Sequence, residues 1–168
     1  ALLNDSDFRL TSEYPLALYN QGYAYFMKGK YDEAREYFFK YTENGVYAKK
    51  MFERDALVRL ADTYFLTGNF SEAAYRYEDI YMKDYLTNDV YPALQASRSY
   101  GRLGNSAKRI SILKMVCRNN KGSHHYPQSL YELGCAYAQY GQNSDASECF
   151  FTILGMENDS TYYAKSLL

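Results

Sequence analysis

The sequence predicts an all-α protein: a solenoid of antiparallel helix pairs, four repeats long, with the start of a fifth. Three observations predict it. Segments 18–38, 57–77, 93–113 and 130–150 align with one another without a gap. In each, small and apolar residues recur three and four apart, which makes one face of a helix. A glycine stands at the same place in every segment (Gly29, Gly68, Gly104, Gly141), and a Tyr-Pro pair precedes three of the four. Self-similarity at a fixed period means stacked units that bury their apolar faces on each other.

Residues 1–13 have no helical period and read as a loop or the tail of a preceding repeat. Repeat one takes residues 14–46, repeat two 47–88, repeat three 89–123 and repeat four 124–159, with a further helix beginning in 160–168. Tyr14-Pro15, Tyr91-Pro92 and Tyr126-Pro127 mark helix starts, because proline in a first turn loses no helix hydrogen bond and presets φ. Repeat three's proline stands two residues closer to its glycine than the others do. Inside the first helix of each pair runs a small-residue column, Gly22, Ala61, Ser97 and Gly134, that lets two helices approach closely. Tyr25, Tyr64, Tyr100 and Tyr137 fill the space beside that contact. The column glycine then ends the helix, since Gly accepts positive φ cheaply. Asp32, Ser71 and Ser144 are the expected N-caps of the second helices. Ala34, Ala73 and Ala146 come next, with Arg109 breaking the column, and Phe38, Tyr77, Leu113 and Phe150 close it. The glycines are spaced 39, 36 and 37 residues apart. The extra residues beyond a shorter repeat fit between pairs, at 44–50, 83–89 and 119–123; a helical repeat class of longer period is the alternative. Because the chain begins at Ala1 and Tyr162–Leu168 ends without a cap, it reads as part of a longer array.

Composition narrows the function. Nineteen basic and 20 acidic residues give a net charge of −1, no electrostatic reason to expect nucleic acid. No apolar run approaches the roughly 20 residues that span a bilayer. Cys117, Cys135 and Cys149 are three in number, without CxxC spacing, and read as buried thiols. The 21 tyrosines are too many to bury fully, so some are expected half exposed on faces or in a groove.

The column pattern of small residue, Tyr, Gly, Ala and aromatic over residues 14–154 resembles the tetratricopeptide repeat, whose period is about 34 residues. Repeats one, two and four carry it cleanly; in repeat three Ser106 and Arg109 replace an aromatic and an alanine. Residues 12–41 and 125–150 resemble, more narrowly, large multi-repeat proteins of this family from Gram-negative bacterial envelopes. The resemblance implies a right-handed superhelix, a scaffolding role and an envelope location. By family analogy the first helices line a concave groove. Its candidate residues here are Tyr19, Tyr23, Phe26 and Met27; Val58, Asp62 and Phe65; Arg98 and Arg102; and Tyr131 and Gln139. Tyr19 and Tyr23 stand where chaperone-binding members hold Lys and Asn, a departure from a carboxylate clamp. The groove reads as aromatic at one end with two arginines further along, residue types favoured at binding hot spots.

The expected function is therefore a non-catalytic scaffold that holds a peptide or protein segment. The alternatives are a glycan-binding module using exposed, coplanar tyrosines, and a regulatory repeat region of a larger protein. His124-His125 reads as a loop before a helix, because adjacent residues point apart and no ligand lies at metal spacing. Phosphate-loop, dinucleotide, nucleophile-elbow and zinc-protease motifs are absent from the sequence, so no cofactor or metal is expected. Asn4-Asp5-Ser6 and Asn158-Asp159-Ser160 match a glycosylation sequon.

Overall fold

In this computed structural model, residues 6–43, 52–83, 89–156 and 160–166 are described. They form nine α-helices and no strand. A short 3-10 turn, Phe8–Leu10, precedes α1 (Tyr14–Met27), α2 (Tyr31–Glu43), α3 (Glu53–Leu66), α4 (Phe70–Lys83), α5 (Tyr91–Arg102), α6 (Ser106–Asn119), α7 (Tyr126–Gln139), α8 (Asn143–Leu154) and α9 (Ser160–Ser166). Two units are separable, Ala1–Ile80 and Tyr81–Leu168. Within the first, α2 packs on both α1 and α3; within the second, α6 packs on α5 and α7, and α8 on α7 and α9.

Each boundary has a local cause. Pro15, Pro92 and Pro127 lie in the first turns of α1, α5 and α7, as their missing N–H allows. Repeat three's early glycine shortens its first helix to 12 residues, against 14 in α1, α3 and α7. Gly29, Gly68, Gly104 and Gly141 all have φ between 71° and 81°. In each turn the N–H of the next residue donates to the carbonyl of the column tyrosine: Lys30 to Tyr25 at 3.0 Å, and Asn69 to Tyr64, Asn105 to Tyr100 and Gln142 to Tyr137 at 2.9 Å. This six-to-one bond is the Schellman stop, which satisfies an orphan helix carbonyl.

The expected N-caps are corrected. The turn after each glycine is a single residue, so Asp32, Ser71 and Ser144 already lie inside their helices. The caps are the residues directly after glycine where their chemistry allows. Asn69 Oδ1 accepts the Glu72 N–H at 3.2 Å, and Asn105 Oδ1 accepts the Lys108 N–H at 3.1 Å. Asp32 instead pairs with Arg35 at 2.9 Å. Of the expected inter-repeat insertions, residues 44–50 and residues 84–88 of the second lie outside the described residues, as do both sequons apart from Ser6 and the backbone of Ser160. The third insertion closes α6 with a turn at Gly122, φ 84°, over which buried Asn120 donates its side-chain N–H to the Val116 carbonyl at 3.0 Å.

The small-residue column makes the closest helix contact. A Cβ placed on Gly22 would stand 2.9 Å from the Phe38 ring, and one on Gly134 only 2.5 Å from the Phe150 ring. Ala61 and Ser97, in the same column, are fully buried, as are Tyr77 and Leu113 sixteen residues after them. Around these contacts the first unit buries Leu18, Ala34, Tyr41, Ala56 and Leu60. The second buries Ala93, Ala96, Val116, Leu130, Ala136 and Ile153. Full burial of a large apolar side chain contributes about 1.5–3 kcal/mol.

Gly134→Ala is expected to lower stability by roughly 1–3 kcal/mol in urea melts, the usual cost of overpacking, even after its gain in helix propensity. Gly22→Ala should cost less. Gly101→Ala meets only the flexible Arg109 side chain, at 3.3 Å, and should be neutral or stabilising by up to about 1 kcal/mol. A Gly134→Ala chain as stable as the wild type overturns the close-contact account.

Candidate functional site

In the first unit the candidate residues of α1 and α3 meet through a polar chain. Tyr19, Tyr23 and Phe26 are spaced four and three apart, so their rings share one stripe of α1. Asp55, in the first turn of α3, accepts the Tyr19 hydroxyl at 2.8 Å and the Tyr23 hydroxyl at 3.0 Å. Arg59, one turn on, holds Asp55 Oδ1 at 3.5 Å and Asp62 Oδ2 at 2.5 Å. Its guanidinium lies 5.8 Å over the Phe26 ring. Asp62 is 4% exposed and also accepts the hydroxyl of Tyr77, itself fully buried. A carboxylate buried that deeply is tolerated only when paired and hydrogen-bonded, and here it has both. The Tyr19 ring stacks on Phe52, with centroids 4.7 Å apart and planes 15° apart, and meets Tyr23 edge-on at 5.1 Å. Burial, then the bond to Asp55, holds both phenols above the usual tyrosine range, so they remain donors.

The structure thus joins Tyr19, Tyr23, Phe26 and Asp62, and the residues that join them are Asp55 and Arg59. Their spacing with Asp62, four and then three residues along one helix, is the sequence signal for this ladder. Val58, 4% exposed, packs in the core. Phe65 is half-buried, edge-on to Phe70 at 5.4 Å. Met27 is exposed, as are Leu16 and Leu66 on the same two helices. The helix surface therefore offers half-exposed rings with fixed hydroxyls beside exposed apolar side chains. A second tie crosses from α2 to α3: Arg35 donates to Thr67 Oγ1 at 2.6 Å and lies 4.6 Å over the Tyr64 ring, and Arg76 of α4 lies 5.0 Å from the same ring.

The second unit holds the remaining candidates. Exposed Arg98 of α5 reaches Glu132 of α7 at 2.5 Å. Arg109, the residue that breaks the alanine column, lays its side chain over Gly101 and donates to Gln139. The degenerate repeat is thereby repaired: a glycine in the column that holds Phe26 and Phe65 in repeats one and two leaves space that an arginine fills. Arg102 is exposed at the end of α5. Tyr131 is half-buried between the rings of Phe150 at 6.0 Å and Tyr162 at 5.7 Å, with Lys165 of α9 5.8 Å above it.

The described tyrosines that are exposed are Tyr75, Tyr91 and Tyr163, on α4, α5 and α9. The His124 and His125 rings do not point apart as expected of neighbours in sequence: in the turn before α7 they lie 3.7 Å from each other, tilted by 43°. Among the described residues no group of three His, Cys, Asp or Glu could hold a metal. All three cysteines are free; burial pushes Cys117 up to about 12 and Cys149 up to about 11.

Residues 15–38 and 55–81 each match a family model described as tetratricopeptide repeat. No curated protein matches the chain. Solved structures share the fold. A tetratricopeptide repeat protein from Parabacteroides merdae is 19% identical with a TM-score of 0.75; the match covers 91% of this chain, which spans 57% of that one. MamA from Desulfovibrio magneticus is 16% identical over 95% of this chain and 84% of its own, with a TM-score of 0.70. A set of nearly identical repeats of the same type from Podosopora anserina is 16% identical over 94% and 83%, with a TM-score of 0.69.

Tyr77→Phe should cost about 1–3 kcal/mol, because it takes a hydroxyl donor away from buried Asp62. Alkaline titration gives a second check. Unfolded tyrosines ionise near pH ~10, whereas Tyr19 and Tyr23 ionise higher in the fold. Their contribution is full below about pH 10 and is lost as pH rises through the native pKa values. Ultraviolet titration should show Tyr19 and Tyr23 among the tyrosines that ionise late, and Asp55→Ala should reduce that late fraction; an unchanged titration contradicts the ladder.

Proposed function

Because this chain carries tetratricopeptide repeats, we propose that it is a non-catalytic scaffold whose first-helix faces hold a peptide or protein segment. One observation supports this above others. On α1 and α3 the rings of Tyr19, Tyr23 and Phe26 are held by Asp55 and Arg59, while Leu16, Met27 and Leu66 stand exposed next in sequence to that ladder or at its ends. Rigid aromatic rings lose little entropy on binding, and apolar side chains beside them give a partner area to bury. A ladder that uses up its own hydroxyls and carboxylates leaves little for a substrate to react with, which favours binding over catalysis. Among the described residues no helix is long and apolar enough to cross a membrane. An envelope location rests on the sequence resemblance of residues 12–41 and 125–150.

The test is a triple variant, Leu16→Ser, Met27→Ser and Leu66→Ser, used as bait beside the wild type. All three side chains are exposed, so the thermal midpoint should stay within a few degrees. Partners recovered on the wild type should be lost on the variant, and kept on a Phe39→Ser, Tyr75→Ser control altered at other exposed sites. Equal recovery on all three baits overturns this reading.

A further inference from the structure

Residues 90–131 contain no Asp or Glu but seven Lys and Arg. A whole-chain charge near zero conceals this segregation. Five of the seven lie on α6 or just beyond it: Lys108, Arg109, Lys114, Arg118 and Lys121. Arg109 turns toward Gln139. Lys114 and Arg118 do not: they are exposed, and among the described residues no carboxylate pairs with either. They line a depression of about 670 Å³ together with Ala107, Ile110, Ser111 and Met115. These six recur at three- and four-residue steps, so they form one stripe of the helix.

We propose that this face of α6 docks an acidic amphipathic helix of a partner protein, at a surface separate from the first-helix faces. Two features select that occupant. The charge is one sign only, and complementary potentials steer and register a partner. The centre is apolar: Ile110 and Met115 sit half-buried between exposed Lys114, Arg118 and Ser111. An apolar centre with a charged rim is the anatomy of a protein interface. A phosphate backbone would gain from the cations but nothing from Ile110 or Met115, and the face offers no aromatic ring for a base to stack on. Its 14 residues extend about 21 Å, room for a partner helix of three to four turns.

The probe is a labelled synthetic peptide, helical, with Leu at three- and four-residue steps and Glu flanking them. It is titrated against the 168-residue chain by fluorescence anisotropy. A peptide of the same composition without the stripe, and a DNA duplex of equal charge, are run beside it. The striped peptide should bind at least about tenfold more tightly than either. Its binding should weaken with salt and fall at least about tenfold in Lys114→Glu, Arg118→Glu. Helicity by circular dichroism should be unchanged, since both side chains are exposed. Met115→Gln should weaken the striped peptide and leave the duplex unaffected. Equal or tighter binding of the duplex overturns the proposal in favour of a phosphate site. Self-association of the chain, abolished by the same charge reversal, overturns it in favour of a second copy. Indifference of peptide binding to both variants also overturns it.

Discussion

The contact between a small residue on one helix and a ring or branched side chain on its partner governs what else this chain can do. At Gly22 and Gly134 the facing phenylalanine rings stand so near that not even a methyl group fits. Helices that approach this closely must also turn tightly. Hence each pair is closed by a positive-φ glycine and a Schellman bond to the same tyrosine carbonyl. Spacing, glycine and tyrosine are parts of one requirement, which is why they recur together.

In repeat two a change in the large-residue column spreads outward from the core. Its large residue is Tyr77, which brings a hydroxyl inside that must find an acceptor. Asp62, the residue after Ala61, supplies one, but a buried carboxylate needs a cation, and Arg59 supplies that. Arg59 then reaches Asp55, which collects the hydroxyls of Tyr19 and Tyr23 from the preceding pair. A single added oxygen in the core thus leads, link by link, to the aromatic surface of α1. Core and candidate binding face are one network in this unit.

Repeat three departs in the other direction. It has Gly101 where repeats one and two have phenylalanine, and Arg109 in place of the alanine, and the arginine's Cδ and guanidinium nitrogens lie over that glycine. The guanidinium donates to Gln139 of the next pair, so the substituted side chain ties the two helices together. A degenerate repeat can therefore remain folded while turning basic. Its neighbourhood is where Lys and Arg gather without a carboxylate, a segregation that the whole-chain charge does not reveal.

The helices, their prolines and their glycine stops were legible in the sequence by itself, because each rests on local rules of φ, hydrogen bonding and periodicity. Both columns were legible too, since stacked repeats print them four times, but the space beside the small residue was assigned to the tyrosine three residues on, whereas the rings that meet Gly22 and Gly134 are Phe38 and Phe150. The N-caps were misread by two residues, because the number of residues a turn consumes is a backbone matter that residue type does not reveal. Family analogy chose Tyr19, Tyr23 and Asp62 as groove positions, and could not say that Asp62 is buried or that Arg59 ties it to Asp55. Those facts depend on which side chains of α1, α3 and α4 reach one another across the packed helices. Spacing along one helix orders its own face; only the tertiary structure decides which polar atoms end up sharing a proton or a charge.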